Sequence, residues 1–177
     1  EKKWTKEEQM AFWINAYKAF TVKLILDNYP LTSIKDIKKG IPFVNTVWDI
    51  KFIKIGKNTY DLNNIEHSKL RKKFKDPRIH FAINCASISC PNLNNNAFIS
   101  DILDQQLNNV AQKFINDKSK NIIKSNKLEL SKIFNWYQSD FTTNSSLIDY
   151  LNRYSAIKIN ANANIDYMDY NWKLNGM

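Results

Sequence analysis

The sequence predicts an α+β domain, helix-rich, with a small and mainly antiparallel sheet, spanning residues 1–177 as a single unit. Apolar residues recur at three- and four-residue spacing in some stretches and alternate with period two in others. The two kinds of stretch are interspersed along the chain, the pattern of helices packed on a modest sheet. The length agrees, since 177 residues make one ordinary domain that buries about two-thirds of its unfolded surface without staples.

The elements follow in order. Thr5 with Glu8 forms a capping box. Trp13, Tyr17, Phe20 and Leu24, with Ile14 and Ile25 beside them, then predict an amphipathic helix ending before Pro30. Ser33 to Lys39 reads as a shorter helix stopped by Gly40. Trp48, Ile50 and Phe52 alternate with Asp49 and Lys51, Gly56-Lys57-Asn58 supplies a turn, and Thr59 to Leu62 returns, which predicts a hairpin. Asn63 with Glu66 repeats the capping signature and opens a helix through Phe74, closed by Asp76-Pro77. Arg78 to Asn84 reads as a strand, with Ile79, Phe81 and Ile83 on one face and His80, Ala82 and Asn84 on the other. A polar loop runs from Cys85 to Asn96. Ile99, Leu103, Leu107, Val110 and Phe114 mark a long helix. Lys127 to Leu130 is a strand, Ser131 caps a helix to about Gln138, Ser146 opens another through Tyr154, and Ile165 to Leu174 supplies an edge strand.

Composition excludes several classes. A chain 44% hydrophobic and 13% aromatic is not a disordered tail. No apolar run approaches the ~20 residues of a membrane helix, so no transmembrane segment is expected. Three scattered glycines cannot build a glycine-rich phosphate cradle. The chain starts at Glu1 without a charged-then-apolar leader, so an export signal is expected to have been removed or never to have existed. The compartment stays open between exported or periplasmic and cytoplasmic. The net charge of +9 invites a nucleic-acid partner, yet only three of the 26 basic residues are Arg, the residue that reads phosphates and guanines. Lys is spread along the chain together with abundant Asn and Ile, a mark of coding bias, and nucleic acid ranks last among the partners. The densest basic stretch, Lys69 to Arg78, reads as the solvated face of a helix, with an anionic-ligand patch as the alternative.

The residues with reactive chemistry are few and close together: His67, His80, Cys85 and Cys90 are the only His and Cys. Cys85 follows the expected strand at a small-residue corner, where backbone N–H groups from Ala86 onward could face an oxyanion. A thiol needs a base to become a nucleophile. His80, five residues upstream on an extended strand, would lie about 16 Å away, so His67 on the preceding helix is the preferred base. Asn63, Asp49, Asn15 and Asp140 are candidates to orient it. Two other readings stand beside this one: a Cys85–Cys90 disulfide, and buried inert thiols. His80 stays a catalytic candidate with Cys85 and His67, and its other reading is a hydrogen-bonded core group. A zinc site from the four residues has the right ligand count but no compact spacing, so neither metal nor cofactor is expected. Phe12, Trp13 and Tyr17, and likewise Trp136, Tyr137 and Phe141, read as core. The polar residues among them must find partners. Asn15 and Asp140, together with Glu66, Arg78, Asn84 and Ser87, are therefore the candidate binding residues.

Several motifs also carry a resemblance. Asp76-Pro77-Arg78-Ile79-His80-Phe81-Ala82-Ile83-Asn84-Cys85-Ala86-Ser87-Ile88-Ser89-Cys90-Pro91 resembles the signature of the bacterial and plant domain of unknown function 547 family, and the chain looks like a bacterial-type member. Phe12-Trp13-Ile14-Asn15-Ala16-Tyr17, Ser33-Ile34-Lys35-Asp36-Ile37, Glu66-His67 with Leu70-Arg71, Leu130 to Tyr137 with Asp140-Phe141, and Tyr167 to Asn175 fit as well, in order. The chain departs at Lys18, where Asn is expected, and at Asn171, where Asp is usual. In plants similar domains occur beside leucine-zipper-like or glutaredoxin-like segments, which implies interaction or redox contexts without naming a reaction.

Two functions are therefore expected. The first is a Cys/His thiol hydrolase or acyltransferase acting on an amide or ester of a small molecule or peptide, with Cys85 as nucleophile. The order His67 before Cys85 would rearrange the papain-like one, a relation held as analogy only. The alternative is a non-catalytic module that binds a protein or envelope ligand and contains a Cys85–Cys90 disulfide.

Overall fold

The computed structural model describes residues 3–37 and 46–175. Helix α1, Lys6–Leu26, begins as expected: the Glu8 N–H donates to Thr5 Oγ1 at 3.1 Å and the Thr5 N–H to Glu8 Oε2 at 2.7 Å. It buries Met10, Ile14, Tyr17, Thr21 and Leu24. Ser33 caps a single 3-10 turn, Ile34–Asp36. The remainder of the helix expected there, with its Gly40 stop, lies outside the described residues.

The hairpin forms later than the alternation suggests. Asp49 Oδ2 accepts both the backbone N–H of Thr46, at 2.7 Å, and its hydroxyl, at 2.8 Å. This local capping winds Val47–Asp49 into a 3-10 turn in place of a strand. Strands β1, Ile53–Ile55, and β2, Asn58–Tyr60, then pair antiparallel around Gly56, whose φ of +60° suits a residue without Cβ. The following helix is π-wound over Asn64–Arg71, with the Lys72 N–H reaching back five residues to the His67 carbonyl. It ends in a short α-turn, α2, Lys72–Phe74. Such wide turns are concentrated at functional sites.

Residues 78–84 are not a strand. Asp76 Oδ1 accepts the Arg78 N–H at 2.9 Å, and the His80 and Phe81 N–H groups bond back to Pro77 and Arg78 at 3.2 and 3.0 Å. The result is helix α3, Ile79–Ala82, buried on every side. A short run buried all round carries no periodicity, so the Asp76-Pro77 turn decides its conformation.

Ser100–Ile102 forms a 3-10 lead into α4, Leu103–Asn116. Strands β3, Ile122–Ile123, and β4, Lys127–Leu130, pair antiparallel. Helices α5, Lys132–Trp136, α6, Gln138–Phe141, and α7, Leu147–Asn152, follow. Strand β5, Asn164–Tyr167, joins β4 in parallel, Leu128 opposite Ile165. Beyond β5 the chain does not continue as an edge strand. It threads between two loops: the Ile88 N–H donates to the Lys173 carbonyl at 2.8 Å, and the Leu174 N–H to the Thr32 carbonyl at 2.9 Å.

The core has two clusters. One packs α1, the hairpin and the π-turn around Ile14, Tyr17, Ile53, Leu62, Ile65 and Leu70. The other gathers Phe81, Phe114, Phe134 and Phe141 with Leu128, Leu130 and Leu151. Its rings sit 5.0–6.2 Å apart in stacked and tilted pairs, the range in which aromatic pairs add to burial. Among the described residues, no helix is long and apolar enough to cross a membrane.

Candidate functional site

A cleft of about 290 Å³ opens where the two clusters meet. Tyr17 and Ile83 reach it from the first cluster and Ile133 from the second. Trp48, Trp136, Tyr170 and Trp172 line its walls, and Cys85, Cys90 and Pro91 close one side. Tyr17, Glu66 and Tyr137 all line it and are joined through the Glu66 carboxylate. Tyr137 Oη donates to Oε1 at 2.6 Å and Tyr17 Oη to Oε2 at 3.3 Å. Burial first, and then the Glu66 charge, push both phenols well above the usual tyrosine range, so each stays a protonated donor. A buried carboxylate needs such partners, because desolvation of an unpaired charge is costly.

Beside Glu66 lies an ionic chain. Asp140 accepts Arg71 Nε at 2.7 Å and a terminal Arg71 nitrogen at 3.0 Å, a two-point fork. Its Oδ2 also accepts His80 Nε2 at 2.7 Å. Burial would raise the Asp140 pKa, but the bonds from His80 and Arg71 outweigh it and hold the carboxyl well below the usual range. Asp140 is thus the ionised acceptor and His80 Nε2 carries the hydrogen. The His80 side chain is 1% exposed and stacks on Tyr137, centroids 4.0 Å apart and planes 23° apart. Its Nδ1 makes no hydrogen bond among the described residues. The Arg71 guanidinium stands 4.6 Å from the Tyr137 ring on the same network.

Cys85 and Cys90 form a disulfide, Cα atoms 6.3 Å apart. Tyr170 Oη lies 3.4 Å from Cys85 Sγ, 3.2 Å from Cys90 Sγ and 3.0 Å from Ser87 Oγ. Burial pushes the Tyr170 phenol up to about 12. The Ala86 N–H, expected to be free for an oxyanion, donates to Asn84 Oδ1 at 2.6 Å, which supports Ala86 at a φ of +61°. Asn84 also donates to the Pro91 carbonyl, and buried Lys120 to the Ile88 carbonyl. The loop is held from all sides.

The structure therefore brings His80, Glu66, Cys85 and Cys90 to one cleft, with Asp140 behind His80. It does not bring His67 there. That ring is exposed, with Nδ1 2.7 Å from a terminal nitrogen of Arg71. The 16 Å separation that excluded His80 assumed a strand, and the helical turn of α3 removes it. Asn15 makes a reciprocal pair with the Phe98 backbone, donating to its carbonyl at 2.7 Å and accepting its N–H at 2.9 Å. Arg78 bridges Asp76 and Asp104 at 2.6 and 2.7 Å, and both carboxylates raise its pKa. These two residues brace the fold away from the cleft, while Asn84 and Ser87 brace the disulfide loop. Within the basic stretch only Arg71 reaches the site.

Tyr17, Tyr137, Tyr170, Trp48, Trp136 and Trp172 are the residues that sequence reasoning assigned to core or passed over. One signal was available: a tyrosine in a core stripe carries a hydroxyl that must be bonded. The four candidate zinc donors are not gathered, and among the described residues no group of three or more His, Cys, Asp or Glu could hold a metal ion.

Fold and site together define an α+β domain with an aromatic cleft over a buried carboxylate. Its sequence matches the family model described as "Protein of unknown function, DUF547" over residues 1–115, and the chain belongs to that family. The matched range carries Glu66, Arg71, His80 and the disulfide. Trp136, Tyr137, Asp140, Tyr170 and Trp172 complete the cleft from beyond it. Searches of curated proteins and of solved structures return no match, and nothing in them bears on the papain-like analogy.

Proposed function

We propose that the domain is a ligand-binding module whose site is the aromatic cleft, with the Cys85–Cys90 disulfide as a structural brace. The observation that carries this reading is the combination of walls and floor. Apolar aromatic surface surrounds a small number of polar groups, the usual composition of a small-ligand pocket. The bridge at Cys85, the bond at the Ala86 N–H and the exposure of His67 favour this reading over acyl chemistry. The test is ligand-observed NMR of the oxidised protein against a fragment set spanning cationic, anionic and neutral aromatic compounds. Binding that is lost when Ile133→Trp fills the cleft supports the module; no cleft-dependent binder in any class sinks it.

A second reading keeps one observation. His80, oriented by Asp140, shares the cleft with Cys85, and its Nδ1 is left to accept a proton. If a dithiol reductant opens the disulfide, the Cys85 thiolate could attack an amide or ester carbon with His80 as base. Burst release of alcohol from an activated ester by the reduced protein, absent in Cys85→Ser and His80→Gln, would favour it. A reduced protein that labels with iodoacetamide yet turns over no ester would leave the module reading alone.

A further inference from the structure

Resting on the ligand-cleft reading, we infer that the cleft selects an alkylated ammonium group, held near Glu66 against the aromatic wall of Trp136, Tyr170 and Trp172. Three features converge on this class. Among the described residues, the only carboxylate lining the cleft is Glu66. Asp140, behind His80, is already neutralised by the Arg71 fork and the His80 bond. The charged side chain that faces the cleft is therefore an acidic one, although the chain carries +9 overall. The walls are aromatic: Trp136 and Tyr170 centroids are 4.7 Å apart, Tyr170 and Trp172 4.5 Å, Trp136 and Trp172 5.9 Å. At these distances the three rings pack on one another as a continuous wall, and exposed ring faces attract cations, quaternary ammonium among them. Trp172 already draws one cation, since Lys35 Nζ stands 3.7 Å from its ring centroid, outside the cleft lining.

Hydrogen bonding decides between kinds of ammonium. Both Glu66 oxygens already accept a tyrosine hydroxyl. A primary ammonium is strongly hydrated and brings three donors that need acceptors. An alkylated ammonium brings charge and apolar surface but few or no donors. It uses the carboxylate's field and the rings' faces without displacing either tyrosine. Trp48, at the cleft, tilts against Trp172 at 5.4 Å and extends the apolar wall for the rest of such a molecule.

The test is tryptophan fluorescence titration of the oxidised parent protein with choline and with dimethylbutanol, in which carbon replaces the ammonium nitrogen. Choline is expected to bind at least about tenfold more tightly than the neutral alcohol, the ratio expected when about 1.4 kcal/mol comes from charge. Glu66→Gln, which keeps an acceptor for a tyrosine, is expected to erase the preference, and Trp136→Ala to weaken choline at least about fivefold. Equal affinity for the two compounds in the parent protein overturns the inference and leaves the ligand cleft standing. Choline silent while neutral aromatic fragments bind does the same. If no fragment of any class binds, the cleft reading fails with it.

Discussion

The Tyr137 hydroxyl donates to Glu66 Oε1 at 2.6 Å across 71 positions of sequence. This bond ties the π-turn to the α5–α6 corner and places a charge beneath the aromatic walls. Its loss should be measurable. Tyr137→Phe leaves Oε1 without that donor in a buried setting, and a buried acceptor left unpaired costs about 1–3 kcal/mol. Urea unfolding should show a lower midpoint with an unchanged slope; an unchanged midpoint would mean that water replaces the phenol.

Asp140 supplies a pH dependence. Its folded pKa is depressed by His80 and Arg71, so its contribution is fully present above the unfolded carboxylate value of about 3.9 and is lost as pH falls toward the folded value. Asp140→Asn should cost about 2 kcal/mol at neutral pH and should flatten the acid limb of the stability curve. Urea midpoints followed from neutral pH down to about pH 3 check both signs. A variant with the parent's acid slope would contradict the assignment.

The disulfide closes a short loop, so its entropic contribution is modest, about 2 kcal/mol. Cys85→Ser with Cys90→Ser should lower stability by roughly that amount while leaving the fold intact, because Asn84, Lys120 and the tail still hold the loop. Mass spectrometry of the unreduced peptide should find it lighter by two hydrogens than the reduced form. A free pair in protein prepared without reductant would count against the brace.

Asn15 and Trp136 should separate stability from binding. Asn15→Ala removes both bonds to Phe98 and should cost about 2 kcal/mol without altering ligand affinity. Trp136, 47% exposed, should show the reverse in Trp136→Ala: a stability changed by less than about 1 kcal/mol and a cleft that holds its ligand at least about fivefold more weakly. Paired urea and fluorescence titrations decide it.

Local chemistry was legible in the sequence. The Thr5/Glu8 and Ser146/Asp149 boxes start helices where capping residues stand, and α1, α4 and β4 follow their periodicity because one face of each meets a core. The candidate list reached Glu66, His80, Cys85 and Asp140. It preferred His67 over His80, the histidine that lines the cleft, because it read residues 78–84 as extended. Four consecutive buried residues show no preferred period, and the Asp76-Pro77 turn that winds them acts through a side-chain bond.

What the sequence by itself determined is the family, the α+β class, the cluster of His and Cys and the three open readings of the cysteines. The tertiary structure alone decided which groups meet. Tyr17, Glu66, Tyr137 and Tyr170 come from four separate segments of the chain, and no spacing brings them together. They converge where two apolar clusters join, because buried polar atoms there need partners: Tyr17 and Tyr137 bond Glu66, and Tyr170 bonds Ser87 beside the disulfide.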